Sequence, residues 1–137
     1  MTRADTRTSV ASTRGVRVEV SSRYAAERSN PEDGEWFFLY TVRITNQGGE
    51  TVQLVSRHWI ITDATGRVEE VKGPGVVGEE PVLKPTESYE YTSGVPLPTP
   101  SGFMTGSYGM VTQAGEHFDI EIPAFSLDSP QEPRTVN

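Results

Sequence analysis

Apolar side chains recur at every second position through most of this 137-residue chain, in short runs separated by turn-forming residues. The runs Val16–Val20 and Phe118–Ile122 alternate apolar with polar residues, which is the period of a strand with one buried face. The run Trp36–Asn46 is apolar on both faces in its first half, as a central strand of a sheet would be. This period of two predicts an all-β chain with little helix.

The rest of the chain predicts further strands. A strand follows the hairpin signal Asn46–Gly49, and its pattern over Val55–Trp59 indicates a bend or a β-bulge. A further strand is expected over residues 67–72, with Val68 as its inward-facing residue. Strands are also predicted over residues 82–83, 88–93, 103–113 and 117–122.

Prolines limit two of these strands. Residues 94–102 contain Pro96, Pro98 and Pro100, which donate no ladder hydrogen bonds, so this stretch is predicted to be a loop that crosses between sheets. Pro123 is expected to end the last strand for the same reason.

The count is about seven or eight short antiparallel strands with a turn every 8–12 residues, which is typical of a β-sandwich. We predict an immunoglobulin-like or fibronectin type III-like β-sandwich. The length fits one domain, which we place over residues 14–126. Residues 1–13 and 127–137 are expected to be disordered tails.

Charge and composition narrow the classes of partner. The net charge is -7, from 12 basic and 19 acidic side chains, which disfavours nucleic acid because binding to phosphates depends on Lys and Arg. The chain has no cysteine and no apolar run of the roughly 20 residues that a membrane span needs. We therefore expect a cytoplasmic protein without membrane insertion, as a monomer or a weak dimer.

One stretch has a glycine spacing that suggests chemistry: Gly73-Pro74-Gly75-Val76-Val77-Gly78-Glu79-Glu80. Dinucleotide-binding folds use G-x-G-x-x-G to bring backbone amides to a pyrophosphate at a helix N-terminus. Here Pro81 and two β-branched valines follow instead of a helix, and two glutamates would repel an anion unless a metal intervened. The pattern favours a structural or partner-facing loop, and leaves open a nest of amides that binds an anion without a helix.

No catalytic or metal centre is indicated. His58 and His117 lie on separate predicted strands, and neighbouring Glu69 and Glu70 would point to opposite faces of theirs, so neither pair converges on a metal. The run Ser56-Arg57-His58 supplies no recognisable catalytic triad. We expect a non-enzymatic protein without a cofactor, and a half-buried structural role for His58.

Several longer motifs together resemble the ApaG family, also called CorD. The resemblance runs from about Gly15 to Phe125. It rests on Val52–Asp63, which includes Ser56, Arg57, His58 and Trp59, and on Gly66–Val71, Gly73–Pro81, Tyr91–Gly94 and Pro100–Gly102.

The resemblance implies a fibronectin-type sandwich and carries no catalytic residues. It implies small bacterial proteins linked to cobalt resistance and to magnesium and cobalt efflux, often encoded beside a diadenosine-tetraphosphate hydrolase. It also implies protein recognition, because similar eukaryotic domains are appended to F-box and polymerase-interacting proteins. In this family the glycine loop is a candidate pyrophosphate site.

Two main hypotheses of function follow. The first is a binding module for an as yet unidentified protein partner, which contacts it through the loop Gly73–Pro81 and the adjoining sheet edge. The alternative is a protein or enzyme that binds a nucleotide or pyrophosphate, such as a dinucleoside polyphosphate, at Gly73–Gly78 with a divalent metal. Direct binding of cobalt or magnesium is a third hypothesis, weakened by the shortage of ligands.

Overall fold

The computed structural model describes residues 8–130, and the predicted tails at 1–7 and 131–137 lie outside them. The described chain forms nine strands and two single 3-10 turns, at Ala26–Arg28 and Pro31–Asp33. The strands are β1 (Ser9–Thr13), β2 (Val16–Tyr24), β3 (Trp36–Asn46), β4 (Val52–Asp63), β5 (Val68–Pro74), β6 (Val82–Leu83), β7 (Ser88–Leu97), β8 (Ser101–Thr112) and β9 (His117–Asp128).

The strands form two antiparallel sheets that pack face to face. The first sheet has the order β1-β2-β3-β7, and the second has the order β5-β4-β8-β9 with the short β6 also paired to β4. Side chains from both inner faces fill the space between the sheets, as in other sandwiches. The predicted β-sandwich is therefore confirmed. Within residues 8–130 no helix is long and apolar enough to cross a membrane.

Trp59 lies at the centre of the core, on β4. Its ring packs edge-to-face against Tyr40 of the opposite sheet, with centroids 5.2 Å apart, and against Phe125 and Tyr108 at 6.0 Å and 6.2 Å. Such edge-to-face pairs add to the stabilisation that burial alone supplies. Trp59 thus joins β3, β8 and β9 to its own strand.

A β-bulge at Val55 changes the face that β4 presents to the core. Leu54 pairs with Met110 and Ser56 with Gly109, so Val55 is an extra residue in β4, which confirms the predicted bulge. Before the bulge Val52 and Leu54 are buried, and after it the buried residues are Trp59 and Ile61. Because one inserted residue inverts the alternation, Arg57 also faces inward.

The N-terminal boundary was predicted wrongly. Ser9–Thr13, which we assigned to a tail, forms the edge strand β1 and pairs with β2 from Ser9↔Val20 to Thr13↔Val16. The side chain that should mark a strand, Val10, is 44% exposed, while the half-buried positions carry small residues. Because its one large apolar side chain points to solvent, the alternation of this strand is invisible in the sequence.

Prolines proved compatible with two strands. Pro96 lies in β7, an edge strand, where a residue without an N–H group is tolerated because no strand pairs with the outer side. The predicted loop is therefore reduced to Pro98–Pro100, between β7 and β8. Pro123 lies at a second bulge, where Gly106 pairs with Ile122 and Met104 with Phe125. Because the bulge leaves that position unpaired, β9 continues to Asp128, just past the predicted domain end at residue 126.

Val68 was predicted to face inward and does not. It is 54% exposed, and Val71 packs on the core instead. The register decides this, because Val71 pairs with the buried Trp59 and therefore shares its face.

The two sides of the sandwich differ. On one side β1 and β2 are joined to β9: the Glu121 N–H donates to Thr13 Oγ1 at 3.1 Å, and Ser22 Oγ of β2 donates to the Ser126 carbonyl at 2.8 Å. Arg14, in the turn before β2, pairs with Glu116, in the turn before β9. On the other side the edge strands β5 and β7 face each other across a cleft. We call these the closed side and the open side.

Two core tyrosines make the stability of the fold decrease at alkaline pH. The hydroxyls of Tyr91 and Tyr108 hydrogen-bond to each other, and burial raises the pKa of both phenols far above the usual value of about 10. Unfolded tyrosines lose their protons near pH 10 while the folded ones keep them. This part of the stability is therefore complete below pH 10 and is lost as the pH rises further.

We predict that the free energy of unfolding falls above pH 10 by about 1.4 kcal/mol per pH unit for each of these tyrosines. The double variant Tyr91→Phe/Tyr108→Phe, which removes both hydroxyls together, should flatten that slope. Urea unfolding at a series of pH values measures it. An unchanged alkaline slope in the double variant would contradict the assignment.

Candidate functional site

The open side contains two adjoining hollows between β5 and β7, which together we call the open-side cleft. The first hollow, of about 270 Å³, lies over Trp59 and has Tyr40, Arg57, Val71 and Ser93 among its walls. The second hollow, of about 380 Å³, is lined by Ile61, Asp63, Arg67, Val68, Glu69, Pro96, Leu97 and Pro98. The two share Ile61, Glu69 and Pro96 as a common wall.

Arg57 connects this cleft to the glycine loop. The bulge at Val55 turns it inward at the position opposite Gly73. From there Nη1 donates to the carbonyl of Pro74 at 2.8 Å and to that of Gly75 at 3.1 Å. Charge-assisted hydrogen bonds of this kind are stronger than neutral ones, so Arg57 fixes the start of the loop.

The loop itself is a tight hairpin. The N–H of Val76 donates to the Glu79 carbonyl and the N–H of Glu79 to the Val76 carbonyl, each at 2.8 Å. The two residues between them, Val77 and Gly78, have positive φ angles of 41° and 82°, as a two-residue hairpin turn of type I′ requires. The side chain of Val76 is buried in the core, so the turn is anchored.

Each glycine of the G-x-G-x-x-G pattern is required for a different structural reason. At Gly73 an added Cβ would lie 2.9 Å from Nη2 of Arg57. At Gly75, where φ is +57°, it would collide with the Glu79 carbonyl oxygen, and Gly78 supplies the second positive φ of the turn. The spacing therefore has a complete explanation in the geometry of the hairpin.

Three amides of this loop already have acceptors. Gly75 donates its N–H to the carbonyl of the bulged Val55 at 2.9 Å, and those of Val76 and Glu79 close the hairpin. The Glu79 side chain hydrogen-bonds to Tyr89, whose pKa is raised by burial and then by this carboxylate. A phosphate bound here would have to displace these bonds and approach a carboxylate.

Val77 is the one strained residue of the turn. A β-branched side chain rarely adopts a positive φ, and the 41° angle of Val77 is an outlier of the kind that functional sites retain. The side chain is 54% exposed at the tip of the hairpin. It thus presents an apolar group to solvent on a rigid support.

The residues Ser56, Arg57, His58 and Trp59 do not converge. Trp59 is buried, Arg57 enters the cleft, and Ser56 is exposed on the surface. His58 lies half-buried on the outer face of the second sheet, where Nε2 is 2.7 Å from Oε1 of Glu70. Glu69 and Glu70 do face opposite ways, and residues 8–130 bring no three His, Asp or Glu side chains together as metal ligands.

Sequence reasoning missed the cleft, although one signal for it exists. The inward positions of β7 are apolar or aromatic except Ser93, which interrupts their alternation. Its side chain hydrogen-bonds to the Tyr40 hydroxyl, and burial raises the pKa of that phenol. A polar residue in the buried phase of a strand marks a place where the core opens to solvent.

Known proteins resemble this chain along most of its length. A family model described as the ApaG domain matches residues 26–112. A Protein ApaG from Rhodospirillum centenum is 65% identical over 118 residues, which cover 86% of this chain and 91% of that protein. One from Rhodopseudomonas palustris is 61% identical over 125 residues, which cover 91% and 96%.

Solved structures agree. The crystal structure of an ApaA protein from Bordetella pertussis has a TM-score of 0.82 at 51% identity, and the match covers 85% of this chain and 94% of that one. The C-terminal domain of wzt has a TM-score of 0.55 at 10% identity, with coverages of 98% and 90%. The second likeness concerns the fold alone.

Substitution of the loop glycines tests the structural role of the pattern. Gly75→Ala should destabilise the protein by about 3 kcal/mol, because it combines a positive φ with a backbone collision. Gly78→Ala, which meets no atom within 4 Å, should cost only about 1 kcal/mol. Urea unfolding of both variants measures the difference, and equal losses would contradict this explanation of the spacing.

Proposed function

Since this chain belongs to the ApaG family, we propose that it is a non-enzymatic module that binds a protein partner through the open side of its sandwich. The observation that carries the proposal is the contrast between the two sides. Cross-sheet hydrogen bonds join β1 and β2 to β9, and an ion pair joins the turns that precede β2 and β9, whereas β5 and β7 lie apart with the open-side cleft between them.

Unpaired strand edges give a physical route to recognition. An edge strand presents a row of N–H and C=O groups to which an extended segment of another protein can pair, and pockets beside it select the side chains. The outer edge of β5 has these groups, and both hollows open next to it. An extended partner segment laid along β5 gains main-chain bonds and buried side chains together.

The glycine hairpin extends the same surface. It follows β5 directly, and Arg57 and Val76 hold it in place. The exposed Val77 at its tip is a rigid apolar contact, which costs little conformational entropy on binding. The hairpin and the β5 edge are the contact surface that the sequence suggested.

We further propose that the family's association with cobalt resistance and with magnesium and cobalt efflux acts through this partner, in the cytoplasm. Two carboxylates of this region support an indirect role, because Glu79 is hydrogen-bonded to Tyr89 and Glu70 to His58. Both groups are engaged within the protein.

A matched pair of valine variants tests the surface. Val77→Asp places a charge at the hairpin tip. It should reduce the amount of partner protein captured from a Rhodopseudomonas palustris extract by about tenfold, which corresponds to a loss of about 1.4 kcal/mol of binding free energy. Asp also tolerates the positive φ better than Val, so the fold is preserved. Val10→Asp, at an exposed valine of β1, should leave recovery unchanged. Equal recovery with both variants would rule out the hairpin as a contact.

The nucleotide alternative predicts a different result. Dinucleoside polyphosphates, ATP, GTP, Mg²⁺ and Co²⁺ can each be titrated while the amide shifts of residues 73–78 are followed. A protein-binding role predicts no saturable shift in this loop. Saturable shifts at micromolar ligand would replace our proposal with a nucleotide site.

A further inference from the structure

We propose that the open-side cleft binds an extended segment of the partner that carries an acidic, an apolar and a basic side chain at alternate positions, in that order. The acidic side chain pairs with Arg57, the apolar one covers Trp59, and the basic one pairs with Glu69. The inference rests on the proposed function and deepens it, because it gives the chemistry of the partner at the same surface.

Arg57 is a half-buried cation that forms no ion pair among residues 8–130. Of the five N–H groups of a guanidinium, the two on Nη1 hold the carbonyls of Pro74 and Gly75. The groups on Nε and Nη2 have no acceptor in the same part of the chain. This planar fork matches a carboxylate, and a cation partly removed from water favours an anionic partner. The first hollow therefore has a place for an acidic side chain.

The opposite charge lies at the other end of the first hollow. Glu69 is exposed at the wall that the two hollows share, and its carboxylate has no hydrogen-bond or ion-pair partner within residues 8–130. Asp63, the neighbouring carboxylate of the second hollow, instead accepts hydrogen bonds from the Thr65 hydroxyl and the Arg67 N–H. Glu69 is therefore the carboxylate that is available to a cation from outside.

Between the two charges the cleft is apolar. Trp59, Val71, Val95 and Met104 line this part of the first hollow. Its volume of about 270 Å³ is below the roughly 300–1,000 Å³ of small-molecule sites, so a single side chain is the matching occupant. An aliphatic side chain placed here removes apolar surface from water on both partners.

The spacing of these features matches an extended chain. Three alternate residues of β5 face the cleft, each opposite a residue of β4: Gly73 opposite Arg57, Val71 opposite Trp59 and Glu69 opposite Ile61. Alternate residues of a strand lie about 6.6–6.8 Å apart on one face, and a segment paired to the outer edge of β5 repeats its side chains by the same distance. Three alternate residues of that segment therefore meet the cation, the apolar floor and the carboxylate in turn.

Gly73 keeps the guanidinium open to the segment. An added Cβ at this position would lie 2.9 Å from Nη2 of Arg57, so a side chain here would occupy the approach to the unpaired N–H groups. The absence of a side chain lets a carboxylate from the neighbouring strand reach Arg57 instead. The first glycine of the pattern thus serves recognition as well as packing.

The order of the charges follows from the direction of pairing. The neighbouring strands of both sheets are antiparallel, and antiparallel pairs are slightly more stable per residue than parallel ones. A segment that runs antiparallel to β5 passes Gly73 first, then Val71 and then Glu69. Its acidic residue therefore precedes its basic residue.

Two acetylated and amidated peptides of identical composition test the alternation: Gly-Glu-Thr-Val-Thr-Lys-Gly and the control Gly-Thr-Glu-Val-Lys-Thr-Gly. The first should give saturable shifts of the Val71 and Ser93 amides and of the Arg57 Nε–H group. In the control both charges face away from the cleft, so its affinity should be about tenfold lower. Equal affinities, or no saturable shift with either peptide, would overturn the proposal.

The two charged ends can be tested separately. Glu69→Lys should weaken binding of the first peptide and should strengthen binding of a peptide in which Glu replaces its Lys. Glu70→Gln is the matched control, because Glu70 lies on the outer face beside His58, and should leave both affinities unchanged. The Arg57 end is tested from the peptide, because Arg57 also holds the hairpin: Gln in place of the peptide's Glu should weaken binding to the wild type. Affinities that do not change with these charges would contradict the pairing.

Partner capture separates this inference from the proposed function. Glu69→Lys should reduce the amount of captured partner, and Glu70→Gln should not. If Glu69→Lys captures as much protein as the wild type while Val77→Asp loses it, the inference fails and the proposed function stands. If the peptide affinities follow the predicted order but the wild type captures no protein, the inferred chemistry of the cleft stands and the proposed function fails.

Discussion

The β-bulge at Val55 is the constraint on which the candidate site depends. One extra residue in β4 inverts the alternation of that strand, so Trp59 enters the core and Arg57 faces the cleft. The carbonyl of the same Val55 accepts the N–H of Gly75. The bulge thus fixes the centre of the core, the orientation of the cleft's arginine and the position of the glycine hairpin together.

The asymmetry of the sandwich follows from how its edges are treated. Proteins cover or interrupt exposed strand edges because such edges pair readily with other chains. Here β1 is joined to β9, while β5 and β7 keep their outer edges and enclose two hollows. A surface with uncovered strand edges beside hollows is suited to binding. The glycine hairpin, which Arg57 holds in place, borders this surface. In this account the glycine pattern positions a recognition surface rather than a phosphate.

Period-two alternation was sufficient to predict the sandwich, because it reports which residues the core buries. The alternation did not reveal β1, because the valine of that strand points to solvent. The prolines were also misleading, because Pro96 is tolerated at a sheet edge and Pro123 at a bulge. The structural character of the glycine loop and the bulge were visible in the sequence. The cleft was not, because it joins Tyr40, Glu69 and Ser93 from three strands whose proximity only the register of both sheets decides.

The central claim is that recognition takes place on the open side of the sandwich. Amide hydrogen exchange of the full chain, with and without the protein it captures, tests this most directly. The account predicts that binding slows exchange along β5, in the hairpin at Gly75–Glu79 and along β7, with no change in β1 or β9. Slowed exchange confined to β1 and β9, or to the outer faces of the sheets, would contradict it.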